Sequence, residues 1–360
     1  MYERGDALIK ELNAKNLALS PAKREPIVLH AHDWLAHYAT NGLKEKFKLP
    51  MVATIHATEN GRNDGIRTPT QQYINYVEWE LQYASWRVIV CTDFMRRECE
   101  HALRTPWHKM DVIYNGVDSD KFKATMSPEE KAAFRSNYAA PNEKILFFVG
   151  RMVREKGVQV LIESLPKVRW CYNDAKLLIC GGGYRDHLVS LAKNIGMEHQ
   201  VYFTGFVPDE ILLKIYQIID IACFPSLYEP FGIVALEGMA AHVPVVVSDA
   251  GGLPEVVENG VTGTTTYAGN PNSLADGLLK VLHNPYYAAQ MAQTAYQRVQ
   301  TVFNWDVIAK QTTDVYDRVW SEYIVSEWCE ASAVHSKQSL DIPVNPVNDE
   351  KPKKRTRAKK

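Results

Sequence analysis

What most constrains the fold of this chain is a repeated alternation. Short apolar runs at 27–30, 50–56, 87–91 and 111–114 are separated by longer segments with helical spacing. The same rhythm returns at 145–149, 175–180, 201–203, 221–224, 243–247 and 263–267. Most of the runs are apolar on both faces, which suits parallel strands covered by helices on either side. Strands alternating with helices predict doubly wound α/β sheets, with ligands at the carboxyl ends of the strands.

Helices are expected over 1–19, where Leu8, Ile9, Leu12 and Leu17 recur at helical spacing, over 34–47, and over 69–85. The rhythm breaks at Asn115-Gly116-Val117-Asp118, and residues 119–143 are polar. The expected organisation is a first domain over 1–118, a linker over 119–143 and a second domain over 144–330. The sequence leaves open a return of the last helices to the first domain. The first domain is short and opens with a helix instead of a strand, so it is expected to be incomplete.

The chain has 360 residues, 46% of them hydrophobic and 23% charged. That is ordinary for a globular protein. No run of about 18 apolar residues predicts a membrane span, and the first residues carry no signal-peptide pattern. Six cysteines form no C-x-x-C pair, so reduced thiols and a cytoplasmic location are expected. Seven of the last ten residues are basic. Without them, 34 basic residues face 42 acidic ones, a net charge of −8. A mildly acidic body gives no footing for specific nucleic-acid binding, and the tail over 331–360 reads as disordered.

In the second half three segments carry chemistry, and each follows an expected strand. In Glu229-Pro230-Phe231-Gly232-Ile233-Val234-Ala235-Leu236-Glu237 two carboxylates stand eight positions apart. Pro230 suits a first helical position. Glu229 would then stand at the helix mouth, with Glu237 about two turns inside, roughly 12 Å away. First-turn amides between them can receive anionic oxygen. By spacing alone, the segment is equally a helix with two surface glutamates. Gly150-Arg151-x4-Lys156-Gly157 puts two cations at a strand–helix junction, where they oppose the helix dipole unless an anion binds. Asp249-Ala250-Gly251-Gly252 permits close backbone approach or a tight turn.

In the first half, His30-Ala31-His32-Asp33-Trp34 and Thr54-Ile55-His56 end successive strands. His30 and His32 share a strand face, but no third ligand stands at standard spacing, so no metal site is expected. Asp118-Ser119-Asp120 reads as a turn.

Together with Thr204-Gly205-Phe206-Val207-Pro208 and Glu255, these segments resemble the retaining GT-B glycosyltransferases of family 4, with similarity to glycogen and starch synthases. The resemblance covers residues of about 25–325. It implies an α/β fold of two Rossmann-like doubly wound domains facing a cleft. It implies transfer of a hexose from a nucleotide-sugar, ADP-glucose or UDP-glucose, to a glycan or small hydroxyl acceptor, with no metal cofactor. Arg151 and Lys156 would neutralise the leaving diphosphate, Glu229 would bind donor-sugar hydroxyls, and Glu237 would bind ribose hydroxyls. Backbone at Phe231-Gly232 and Gly251-Gly252 would meet sugar and phosphates. Gly205-Phe206 would line the base, and His56 would lie near the reacting sugar. The family's opening strand and Gly-rich loop have no match here, so a natural truncation, a mispredicted start or one piece of a split enzyme is expected, with an oligomer or a complementing N-terminal fragment as partner. Alternatives are a non-catalytic nucleotide-sugar-binding protein and a GT-B-fold epimerase.

Overall fold

A computed structural model describes residues 1–17 and 25–330. The tail that reads as disordered lies outside the described residues. Ten strands form two all-parallel sheets. β1 (Leu29–His32), β2 (Met51–Ile55), β3 (Arg87–Val90) and β4 (Met110–Val112) lie side by side in chain order. β1 begins two residues later than its apolar run. Its ladder opens at Leu29 opposite Met51, just past Pro50, which has no N–H to donate.

The second sheet contains β5 (Lys144–Val149), β6 (Ala175–Cys180), β7 (Val201–Gly205), β8 (Ile221–Phe224), β9 (Val245–Ser248) and β10 (Thr264–Thr266). Their spatial order is β10-β9-β8-β5-β6-β7, so the winding direction reverses between β5 and β8. A crevice opens at the carboxyl ends of two strands that diverge in this way. Phe147, Phe148 and Phe224 are fully buried in the core of this sheet. Each contributes about 1.5–3 kcal/mol by leaving water.

The segment 119–143 is docked on the second sheet. Ser127 and Glu130 form a reciprocal capping box at the start of the helix Pro128–Arg135. At its end, Arg135 pairs with Asp220 at 2.9 Å, and Lys144 meets the same carboxylate at 2.9 Å. The long helix Trp305–Tyr323 lies on the first sheet. Its Ile308, Val315 and Val319 pack against Val52, Ile89 and Ile113, and Arg318 pairs with Asp111 at 2.6 Å. The chain therefore crosses between sheets twice, and the crossings touch. Val117 N–H donates to the Phe303 carbonyl at 3.0 Å, and Gln300 Nε2 donates to Ser119 Oγ at 2.7 Å.

Candidate functional site

The loops after β5 and β8 meet at the reversal point. Lys156 Nζ stands 2.8 Å from Glu229 Oε2, and Ser226 Oγ donates to the same oxygen at 3.2 Å. Glu229 is buried at 7% exposure, so its charge is held by partners instead of water. Glu229 also anchors the loop after β9. Its carbonyl accepts from Gly252 N–H at 2.8 Å. A Cβ at Gly251 would stand 2.0 Å from that carbonyl oxygen, and Gly251 has φ +62°, so only glycine fits there.

The helix in this segment starts later than its proline suggests. It spans Ile233–Ala240, and Pro230 precedes it in an irregular loop. Gly232 is the N-cap at φ 109°, a conformation that a helix running from Pro230 would not allow. A Cβ at Gly232 would press to 2.6 Å of Leu253. Glu237 therefore lies about one turn inside the helix, not two, and the straight 12 Å spacing does not hold. Its carboxylate accepts from Tyr216 Oη at 3.1 Å. Burial raises the Glu237 pKa, opposed by that hydrogen bond. The Phe231 side chain is buried against Tyr114 and Phe303.

Arg151 is exposed and pairs with Glu155 at 2.8 Å. Gly205 ends β7 at φ +74°, and Phe206 beyond it is 81% exposed, a free aromatic face at the rim. Thus Lys156, Glu229, Gly251 and Gly252 are brought together, whereas Arg151, Glu237 and Phe206 stand around them with other partners or none.

On the first domain, His56 Nε2 lies 3.0 Å from His32 Nδ1, and the two rings stack. His30 stacks on His32 from the other side. Both His30 nitrogens are engaged, by Tyr316 Oη at 2.6 Å and Thr54 Oγ1 at 2.8 Å. Burial, then the neighbouring His32 and His56, push the His30 pKa down to about 4. His56 N–H donates to Asp33 Oδ1 at 2.8 Å, which fixes the loop after β2. Among the described residues no three His, Cys, Asp or Glu side chains converge as a metal site.

Contacts across the cleft were not legible in the sequence. Thr92 Oγ1 donates to the Pro230 carbonyl at 2.8 Å. The Glu255 carboxylate accepts from Asp93 N–H at 2.9 Å and Phe94 N–H at 2.8 Å. These are the first amides of the first-domain helix Asp93–Leu103, while Thr92 caps Met95 N–H at 3.0 Å. Glu255 thus supplies an anion to that helix's positive end from the other domain. Nearby, Tyr228 Oη donates to Glu98 Oε1 at 2.9 Å, and Thr58 Oγ1 donates to the same oxygen. Burial raises the Glu98 pKa.

Comparison with known proteins adds a family. Residues 129–298 match the family model described as glycosyl transferases group 1, and residues 12–121 match that of glycosyltransferase family 4. An uncharacterized glycosyltransferase of Methanocaldococcus jannaschii is 40% identical over 291 residues, 80% of this chain and 74% of that relative. This chain belongs to the group 1 glycosyltransferases. A glycogen synthase of Mycobacterium tuberculosis is 35% identical to this glycosyltransferase, over 87% of the chain and 73% of that enzyme. Among solved structures, sucrose-phosphate synthase from Thermosynechococcus elongatus superposes with a TM-score of 0.72 at 25% identity, covering 88% of this chain and 79% of that one. Anabaena HepE, solved with UDP-glucose, gives 0.70 at 23% identity, covering 81% and 78%. Both share the two-domain GT-B architecture. The glycosyltransferase contains no helix long and apolar enough to cross a membrane among the described residues.

Proposed function

We propose that this glycosyltransferase moves a hexose, glucose in our reading, from UDP-glucose or ADP-glucose to a hydroxyl of a glycan or small acceptor, with retention at the anomeric carbon. The observation that carries the reading is the Lys156–Glu229 pair, with Glu229 buried, at the reversal point of the second sheet. A cation and a hydroxyl acceptor stand there side by side, at the place where a diphosphate joins a sugar.

In this reading the bond from the anomeric carbon to the diphosphate oxygen breaks, and negative charge builds on the departing phosphate. Lys156, Arg151 and the amides of Ile233, Val234 and Gly251 stabilise that charge more than the ground state. The acceptor oxygen attacks from the same face, and its proton passes to the departing phosphate. Glu229 orients sugar hydroxyls, Glu237 takes the ribose, and Phe206 stacks on the base. His56 stands near the reacting sugar. No metal is assigned a role, because the two cations take the leaving charge. The six free cysteines support a reducing, cytoplasmic setting. β1 lies at an open sheet edge, where a second chain would join if the protein associates.

The experiment is nucleoside diphosphate release from UDP-glucose and ADP-glucose, with glucan present or absent and with EDTA added. Release should survive EDTA. Lys156→Ala should lower kcat by at least about 100-fold, as loss of a donor to developing charge does elsewhere. Unchanged turnover in Lys156→Ala and Glu229→Gln would refute the assignment.

A further inference from the structure

A cavity of about 540 Å³ opens beside the Lys156–Glu229 pair, between the first-domain loop after β2 and the loops after β5 and β8. Three arginines line it. Arg62 and Arg67 come from the first domain and Arg154 from the second. Its walls adjoin the residues already described. Arg62 is next to Asp33, whose other oxygen holds His56 N–H. Leu227 and Tyr228 amides donate to the Glu155 carbonyl, one residue from Lys156, and Glu229 follows Tyr228.

The charges in this cavity do not balance. Arg154 is exposed and has no hydrogen bond or ion pair from its side chain among the described residues. Arg62 stands 4.0 Å from Asp33, at the limit of an ion pair. Arg67 spends two donors on the carbonyls of Asn63 and Asp64, and a guanidinium has five. Of the two carboxylates in the lining, Glu155 is paired with Arg151, and the exposed Asp64 carboxylate stands 3.7 Å from Arg67. The body of the chain is acidic overall, so this cluster is a local reversal of sign, placed where two domains meet.

We propose that this cavity is the anion subsite of the acceptor, and that the acceptor is a sugar or polyol carrying a phosphate monoester. The proposal rests on the glycosyl-transfer reading above and names its acceptor class. A phosphate monoester offers three oxygens and close to two negative charges, which suits planar guanidinium forks arriving from separate walls. The donor's diphosphate is held at the reversal point by other groups, so Arg154 is free for a second anion, flanked by Arg62 and Arg67, whose own ion pairs are long at 4.0 and 3.7 Å. Because Arg154 and Arg62 belong to different domains, the acceptor phosphate would also tie the walls of the cleft together.

The test is calorimetric titration of glucose 6-phosphate, glucose 1-phosphate and glucose into the full chain, with and without UDP, together with titration of UDP alone. At least one phosphate ester should bind at least about tenfold more tightly than glucose. Arg154→Ala should weaken that ester by about tenfold, the cost of one charge-assisted contact, and leave UDP affinity unchanged. The paired variant Arg62→Ala/Arg67→Ala should weaken it further. Equal binding of glucose and both esters, or an Arg154→Ala variant that binds the ester as well as the parent, would overturn the subsite. Failure of UDP itself to bind would count against the donor site, and the ester-against-glucose comparison would still decide the subsite.

Discussion

Removal of the Glu255 carboxylate tests how the two domains are held. It accepts from Asp93 and Phe94 N–H across the cleft at 2.9 and 2.8 Å. Capping bonds of this kind contribute about 1 kcal/mol each, so the pair contributes about 2 kcal/mol. Glu255 is half-buried, and water recovers part of the loss, so about 1 kcal/mol is the working figure for Glu255→Ala. At 1.4 kcal/mol per tenfold, that is roughly a fivefold rise in the population with the cleft open. Hydrogen exchange read by mass spectrometry reports both walls. Peptides covering 91–96 and 227–232 should each exchange about fivefold faster. Glu255→Gln keeps one acceptor oxygen and loses the charge, so it should fall between. Faster exchange in 91–96 alone would show that Glu255 caps the helix without holding the domains. Unchanged exchange in both would refute the reasoning outright.

Two further outcomes follow from buried groups. Glu78 is buried under the loop after β2, where both its oxygens receive Glu59 N–H at 2.9 and 3.0 Å; burial pushes its pKa up to about 8. The folded protein therefore keeps a proton that the unfolded chain releases above about 4.5, so stability should fall as pH rises from 4.5 to 8 and then level off. The effect is at most on the order of 5 kcal/mol. Denaturant unfolding of Glu78→Gln should show a flatter pH dependence over that window, and an identical slope would refute the burial argument. Gly251→Ala forces a Cβ onto the Glu229 carbonyl at 2.0 Å. It should weaken UDP binding at least tenfold, while Gly182→Ala, with nothing within 4 Å, should bind normally; equal affinities would sink the reading.

Strands were legible because buried parallel strands are apolar on both faces, and the central runs such as 145–149, 221–224 and 243–247 are. The helix start near Pro230 was misread for a physical reason. The preference of proline for a first helical position is local, but Gly232 takes a left-handed φ of 109°, where an added Cβ would press on Leu253 from a distant segment. The Lys156–Glu229 pair joins residues 73 apart, and only the sheet's winding reversal brings them together. Glu255 was visible as the last letter of a Gly-rich motif, but its partners lie 161 and 162 residues away. No periodicity encodes a contact of that range. The arginine cavity was hidden likewise, since Arg62 and Arg154 come from loops that follow strands of different sheets.

The double crossing between sheets has a mechanical consequence. A single linker lets two bodies swing and twist about any axis. Here two backbone segments run side by side and are pinned by the Val117–Phe303 and Ser119–Gln300 hydrogen bonds. Like a door on two pins, the cleft can open and shut, but its walls cannot rotate out of register. Each opening therefore returns Glu255 to the same helix end and Arg154 to the same pair of arginines, so a loading cycle needs no search for alignment.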